Sequence, residues 1–258
     1  MSTAVSLGFE PRSAMREREP KKQSRRSRKF DFIAGFGELL ITLGLLTALF
    51  AFWQVFVTDW QTASDRTAAI SEFTELASDY PLKISDDERT TAPPVPARVG
   101  WNQTFGSLHV PKWNYMVIPV REGTDNAVID FAVAGHYTET VMPGDIGNFS
   151  VAAHRRTYGS NFRRIDVLNE GDRVVVETQG AWMVYEMIGK EIVLPSQSEV
   201  VAPVPGKIDE KPTERLMTMT TCHPEYGSSH RYIVHLKLHH WVPRTSGVPR
   251  ELAEGMGL

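Results

Sequence analysis

With a single cysteine among 258 residues, the chain can close no internal disulfide and holds no CxxC pair for structural zinc or redox exchange. Positive charge is not in excess: 28 Lys and Arg stand against 31 Asp and Glu, a net charge of −3. No global field exists to hold nucleic acid, and none is expected as a partner. No internal repeat is visible. No spaced acidic cluster resembles a calcium loop, and the densest acidic run, Asp86-Asp87-Glu88, falls in a proline-rich stretch. No metal and no other cofactor is therefore expected. Long apolar runs are scarce too: there is one, which excludes a multi-span transporter. What is present, 41% hydrophobic and 23% charged residues, matches a chain with a packed globular part.

Residues 1–31 hold nine Lys or Arg without apolar periodicity and read as a disordered basic cytoplasmic tail. Residues 32–57 carry one charge, Glu38. At ~1.5 Å per residue such a run exceeds the ~30 Å of a bilayer's hydrocarbon core, so it predicts a transmembrane anchor. It is also longer than the ~7–15-residue apolar stretch of a cleavable signal, and no small-x-small site follows it. Residues 59–90 hold three basic and eight acidic residues, so the basic side stays inside. The expected placement is the cell membrane, single-pass, with a cytoplasmic N-terminus and the folded domain extracellular. Trp53 and Trp60 suit the outer interfacial belt.

Beyond the anchor, residues 58–98 read as an extracellular stalk and linker. Ala69, Ile70, Phe73, Leu76 and Ala77 recur at helical steps over 58–80, and Thr90 to Pro96 is a proline-rich, extended spacer. The folded domain is expected over 99–244, followed by a flexible tail over 245–258. Within the domain, short apolar runs at 107–110, 115–119, 148–153, 173–178, 181–194, 216–222 and 231–238 alternate with Gly and Pro turns. That pattern predicts a mainly β sandwich or barrel, with short helices near 125–131 and 162–168.

A lone thiol in an exported domain is either a buried small hydrophobe or a reactive group. Cys222 ends the strand-like run 216–222, directly before His223-Pro224-Glu225-Tyr226-Gly227, which must turn, and strand ends beside loops are where substrates are met. A nucleophilic cysteine needs a base or cation and donors for an oxyanion. His223 is a poor direct partner because neighbours on an extended chain face opposite ways. His154 ends the apolar run 149–153, and Arg231 opens the strand after the Cys222 loop, so a hairpin would carry its charged fork near the thiol. Composition and spacing alone leave both readings of Cys222 open.

Thr218-Met219-Thr220-Thr221-Cys222, with Arg231 nine positions later and His154 68 positions earlier, resembles the Thr-Leu-x-Thr-Cys segment of sortases, the membrane-anchored cysteine transpeptidases of Gram-positive cell walls. Met219 departs from the usual Leu. The similarity covers about residues 100–240, including Leu108 to Lys112, Gly147 to Arg155 and Gly171-Asp172. Thr-Thr-Cys-His-Pro and Gly135-His136-Tyr137 look most like class E, the actinobacterial housekeeping group. The resemblance implies an eight-stranded sortase-like β-barrel. It also implies cleavage of a C-terminal Leu-x-x-Thr-Gly sorting signal between Thr and Gly through a thioacyl intermediate on Cys222, then transfer to an amine.

The implied partners are secreted proteins bearing Leu-Ala-x-Thr-Gly or Leu-Pro-x-Thr-Gly, with a cell-wall precursor or protein amine as acceptor. In this scheme His154 exchanges protons with the leaving and incoming amines, and Arg231 donates to substrate carbonyls or the oxyanion. Thr221, Tyr137 and His136 are the implied substrate-binding residues, Tyr137 as the tyrosine that class E places near its groove; the alternatives are an ordinary strand threonine, a plain rim aromatic and a structural histidine. The alternatives are a thiol peptidase on the same scaffold and an anchored binding module with a structural cysteine. An L,D-transpeptidase is disfavoured because its Ser-His-Gly-Cys segment is absent.

Overall fold

The structure, a computed structural model, describes residues 28–53, 58–76 and 79–258. The expectation for the basic tail falls mostly on residues 1–27, outside the described residues. Helix α1 (Arg28–Phe52) contains a stretch, Phe32–Phe52, long and apolar enough to cross a membrane. Leu39, Ile41 and Leu45, on different sides of that helix, are all more than half exposed. A helix apolar all round is stable in lipid and not in water, so α1 is compatible with single-pass anchoring.

The second compact unit runs from Leu49 to Leu258. Its centre is a closed barrel with strand order β1-β2-β3-β4-β7-β8-β6-β5. The strands are β1 (Thr104–Val110), β2 (Met116–Glu122), β3 (Ala134–His136), β4 (Gly147–Ala152), β5 (Arg173–Glu177), β6 (Ala181–Val193), β7 (Arg215–His223) and β8 (His230–Pro243). Alternation explains the closure. Leu108 and Val110, Phe149 and Val151, Met217 and Met219, and Val234 and Leu236 turn inward to one core, and the residues between them turn to the opposite face. Two neighbouring pairs are parallel, β2 with β3 and β4 with β7. The seven apolar runs correspond to seven of these strands. The eighth, β3, spans three residues, too few to show a period. The helix expected over 125–131 is α3 (Asn126–Ile129), whereas 162–168 holds only a 3₁₀ turn, Ile165–Val167.

Three expectations for the flanks are corrected. Helix α2 (Thr58–Leu76) does form, but not as a free stalk: Ala69 and Phe73 are buried. Glu72 accepts from Thr104 Oγ1 at 2.9 Å and pairs with Arg121 at 3.3 Å, which docks α2 on β1 and β2. Truncating Phe73 removes a large side chain from that seam. Phe73→Ala in residues 58–258 is expected to cost about 3 kcal/mol of unfolding free energy, read from the urea midpoint.

The proline-rich segment is extended as expected but lies along the barrel. Arg89 and Trp241 exchange backbone hydrogen bonds of 2.9 and 2.8 Å, the Trp241 indole donates to the Thr91 carbonyl at 2.9 Å, and Ser85 N–H reaches Val248 O at 2.9 Å. The tail, expected to be flexible, packs as the 3₁₀ turns Arg244–Ser246, Arg250–Leu252 and Glu254–Met256. Val248 and Leu252 are buried with Trp182 and Val242, and buried Arg244 donates to Glu177 Oε1 at 2.6 and 3.0 Å. These contacts are made one residue at a time, so they leave no periodicity in the sequence.

Candidate active site

The parallel pairing of β4 and β7 builds the site. Ser150 lies opposite Thr218, and Ala152 opposite Thr220. Beyond the last paired residues, Ala153 N–H donates to the Thr220 carbonyl at 3.3 Å, and the Thr221 hydroxyl donates to the Ala153 carbonyl at 2.7 Å. Parallel neighbours sit ~4.8 Å apart and run in one direction, so their C-terminal ends deliver His154 and Cys222 to the same rim. Side-chain alternation then matters. Met217, Met219 and Ala153 belong to the core, which puts Thr218, Thr220, Cys222 and His154 on the outer face. Cys222 is a free, half-buried thiol, and it lines one cleft with His154, Arg156, Glu225 and Tyr226.

Arg231 arrives by the hairpin. In the β7–β8 register it stands directly opposite Cys222, and its Nη1 donates to the carbonyls of Ser228 and His230, each at 3.0 Å. Those carbonyls hold the guanidinium plane. His154 is restrained on several sides: its Nε2 lies 2.6 Å from Asp130 Oδ1, the Tyr158 ring is 5.1 Å away, and its carbonyl accepts from Phe162 N–H at 3.0 Å. Tyr137 donates to or accepts from Thr220 Oγ1 at 3.0 Å. Burial pushes its phenol above the ordinary range, with Glu139 and Cys222 adding to the rise and Thr220 and Arg231 opposing it. Tyr137 is thus a neutral hydroxyl within electrostatic reach of both Arg231 and Cys222.

Two of the expected substrate-binding residues are corrected. His136 is fully buried, with Nδ1 2.8 Å from Glu122 Oε2 and Nε2 3.0 Å from Thr140 Oγ1. Both ring nitrogens are occupied, so it braces the β2–β3 corner and cannot face a ligand. Thr221 is buried on the core side of β7, and its hydroxyl is used on Ala153. It aligns the two strand ends that carry Cys222 and His154.

Asp130, Tyr158 and the loop that presents Tyr158 complete the surroundings of His154 and carry no motif in the sequence. Thr157, Tyr158, Gly159 and Ser160 all have positive φ, between 45° and 86°. Such backbone is rare outside glycine and persists only where the surroundings dictate it. Here Arg66 of α2 donates to the Gly159 carbonyl at 2.9 Å and to Asn161 Oδ1 at 2.5 Å. A Cβ on Gly159 would come within 2.6 Å of the Ala132 methyl. The run of small and polar residues after His154 was the available signal for this turn. Arg156 pairs with Glu225 and lies 4.3 Å from the Tyr226 ring, bridging the cleft's two loops.

The Sortase domain family model matches residues 108–239. Sortase SrtE1 of Streptomyces coelicolor is 33% identical over 252 residues, covering 94% of this chain and 68% of that protein. The solved SrtA sortase of Actinomyces oris is 49% identical with a TM-score of 0.62, covering 64% of this chain and 95% of that one. The structure of sortase E1 from Streptomyces coelicolor with a tripeptide in the active site is 41% identical with a TM-score of 0.55, covering 58% of this chain and 97% of that one.

Proposed function

The chain belongs to the sortase family of cysteine transpeptidases, within its class E, and from that premise we propose that it cleaves a Leu-x-x-Thr-Gly signal between Thr and Gly. Cys222 attacks the threonine carbonyl, the Thr–Gly bond breaks, and His154 gives its proton to the departing glycine amine. An incoming amine then loses a proton to His154, attacks the thioester and releases Cys222. Arg231 donates to the carbonyl oxygen as it takes up negative charge. The observation that carries this reading is the convergence of Cys222 and His154 at the ends of two parallel strands, with Arg231 across the hairpin.

The outer face of β4 and β7 supplies room for the signal. A cavity of about 310 Å³ is lined by Val141, Asn148, Val201, Ala202 and Ile208, and Asn148 bonds Thr218 at 2.9 Å. From Thr218 to Cys222 is four residues of strand, ~13 Å, and an extended Leu-x-x-Thr places its leucine ~10 Å from its threonine. The cavity takes the leucine. Tyr137, between cavity and thiol, faces the second position and favours Ala over Pro there. The α1 helix anchors the chain, with the basic N-terminal segment on the cytoplasmic side and the barrel outside.

The test is turnover of paired Leu-Ala-x-Thr-Gly and Leu-Pro-x-Thr-Gly peptides, with and without a glycine amine. Amine-dependent ligation after Thr, with the Ala peptide preferred, is expected. Hydrolysis unaffected by amine would instead make the protein a thiol peptidase.

A further inference from the structure

The ring of His154 has two nitrogens, and the fold uses one of them. Nε2 lies 2.6 Å from Asp130 Oδ1, and a carboxylate only accepts, so the shared proton sits on Nε2. Asp130 is itself well placed for this. It caps the C-terminal end of α3, its N–H donating to Asn126 O at 3.1 Å, and among the described residues His154 is the side-chain partner of its carboxylate. Across the ring, Tyr158 stacks at a tilt of 34°, held by the left-handed turn that Arg66 latches. The imidazole is therefore fixed about both of its side-chain torsions before any ligand arrives.

We propose that Asp130 is a positioning residue for the reaction: it fixes the Nε2–H tautomer of His154, leaving Nδ1 as the nitrogen that exchanges protons with the leaving and incoming amines. This rests on the reading of His154 as the acid–base group. A histidine free to turn or to change tautomer presents the wrong nitrogen part of the time, and the loss appears in the chemical step. The substrate groove lies on the β4–β7 face, so binding is left intact.

The test uses the full chain in detergent micelles, with ring-¹⁵N-labelled histidine and a Leu-Ala-x-Thr-Gly peptide. The His154 signals are assigned by their disappearance in His154→Gln. Wild type is expected to show a protonated Nε2 and an unprotonated Nδ1 in the neutral ring. Asp130→Ala is expected to give a tautomer mixture, a kcat at least about 10-fold lower and a KM within about twofold. Asp130→Glu should recover part of kcat together with the Nε2–H signature.

An Asp130→Ala enzyme with wild-type kcat, or with Nε2–H still dominant, would overturn the inference. So would a kcat loss matched by a loss of thermal stability in both Asp130→Ala and the isosteric Asp130→Asn, with the tautomer unmoved. If wild type itself forms no product while His154 shows the expected tautomer, the failure lies in the proposed reaction and not in the role of Asp130.

Discussion

Cys222→Ala is expected to abolish thioacyl formation and turnover while the barrel still unfolds cooperatively. The side chain lies at the outer end of β7 and is half-buried, beyond the core positions Met217 and Met219. Removing its sulfur leaves no cavity inside the barrel, so the stability cost is small, on the order of 1 kcal/mol. The chemistry has no substitute, because the described residues place no second thiol anywhere and an Ala methyl cannot attack a carbonyl. Turnover above the level of an uncatalysed control, with the urea midpoint near wild type, would remove Cys222 from the mechanism. The same variant separates the enzyme from an anchored binding module, whose structural cysteine would matter to stability and not to acyl transfer.

Arg231→Ala is expected to lower the acylation rate by about 10²- to 10³-fold, about 2.7–4 kcal/mol of barrier, the range for losing a donor to a developing oxyanion. Arg231→Lys should recover only part of that loss. Nη1 is already committed to two backbone carbonyls of the β7–β8 turn, and these hold the planar fork so that its other N–H groups keep a set direction. A lysine ammonium is a compact point charge. It can satisfy the turn carbonyls or reach the substrate oxygen, but it cannot hold one geometry for both. Pre-steady-state acylation rates measure this directly, and a lysine variant as fast as wild type would contradict donation from a fixed fork.

The two halves of the site differ in how far the sequence exposes them. Arg231 opposite Cys222 is a local fact: a short turn between two apolar runs makes a hairpin, and the hairpin sets the register. His154 beside Cys222 depends on Ala152 pairing with Thr220, 68 positions away and in parallel. Parallel pairing between distant strands leaves no local pattern, so that half became legible only through resemblance to the Thr-x-x-Thr-Cys segment.

Thr221 could have been placed from its period: two and four residues after Met219 and Met217, it faces the core side of the strand, opposite to Cys222. His136 could not, because three residues of β3 show no alternation and its carboxylate partner Glu122 comes from β2. Asp130 was hidden for a related reason. It belongs to a loop between α3 and β3 whose position is fixed by Ala132, at φ 56°, and by burial of Val128 and Val133 with Ala69 of α2. The Pro-rich segment is extended as its composition predicts, but its docking through Arg89 and Trp241, like that of the tail through single side chains such as Leu252 and Val248, leaves no pattern in composition.

The most direct test is the intact mass of the chain after brief exposure to a Leu-Ala-x-Thr-Gly peptide and acid quench, followed by mapping of the modified residue. The expected result is a mass gain equal to the peptide up to its threonine, less water, carried as a thioester on Cys222 and lost on adding an amine. A folded protein that gains no mass, gains it on another residue, or retains the glycine with the adduct would contradict it.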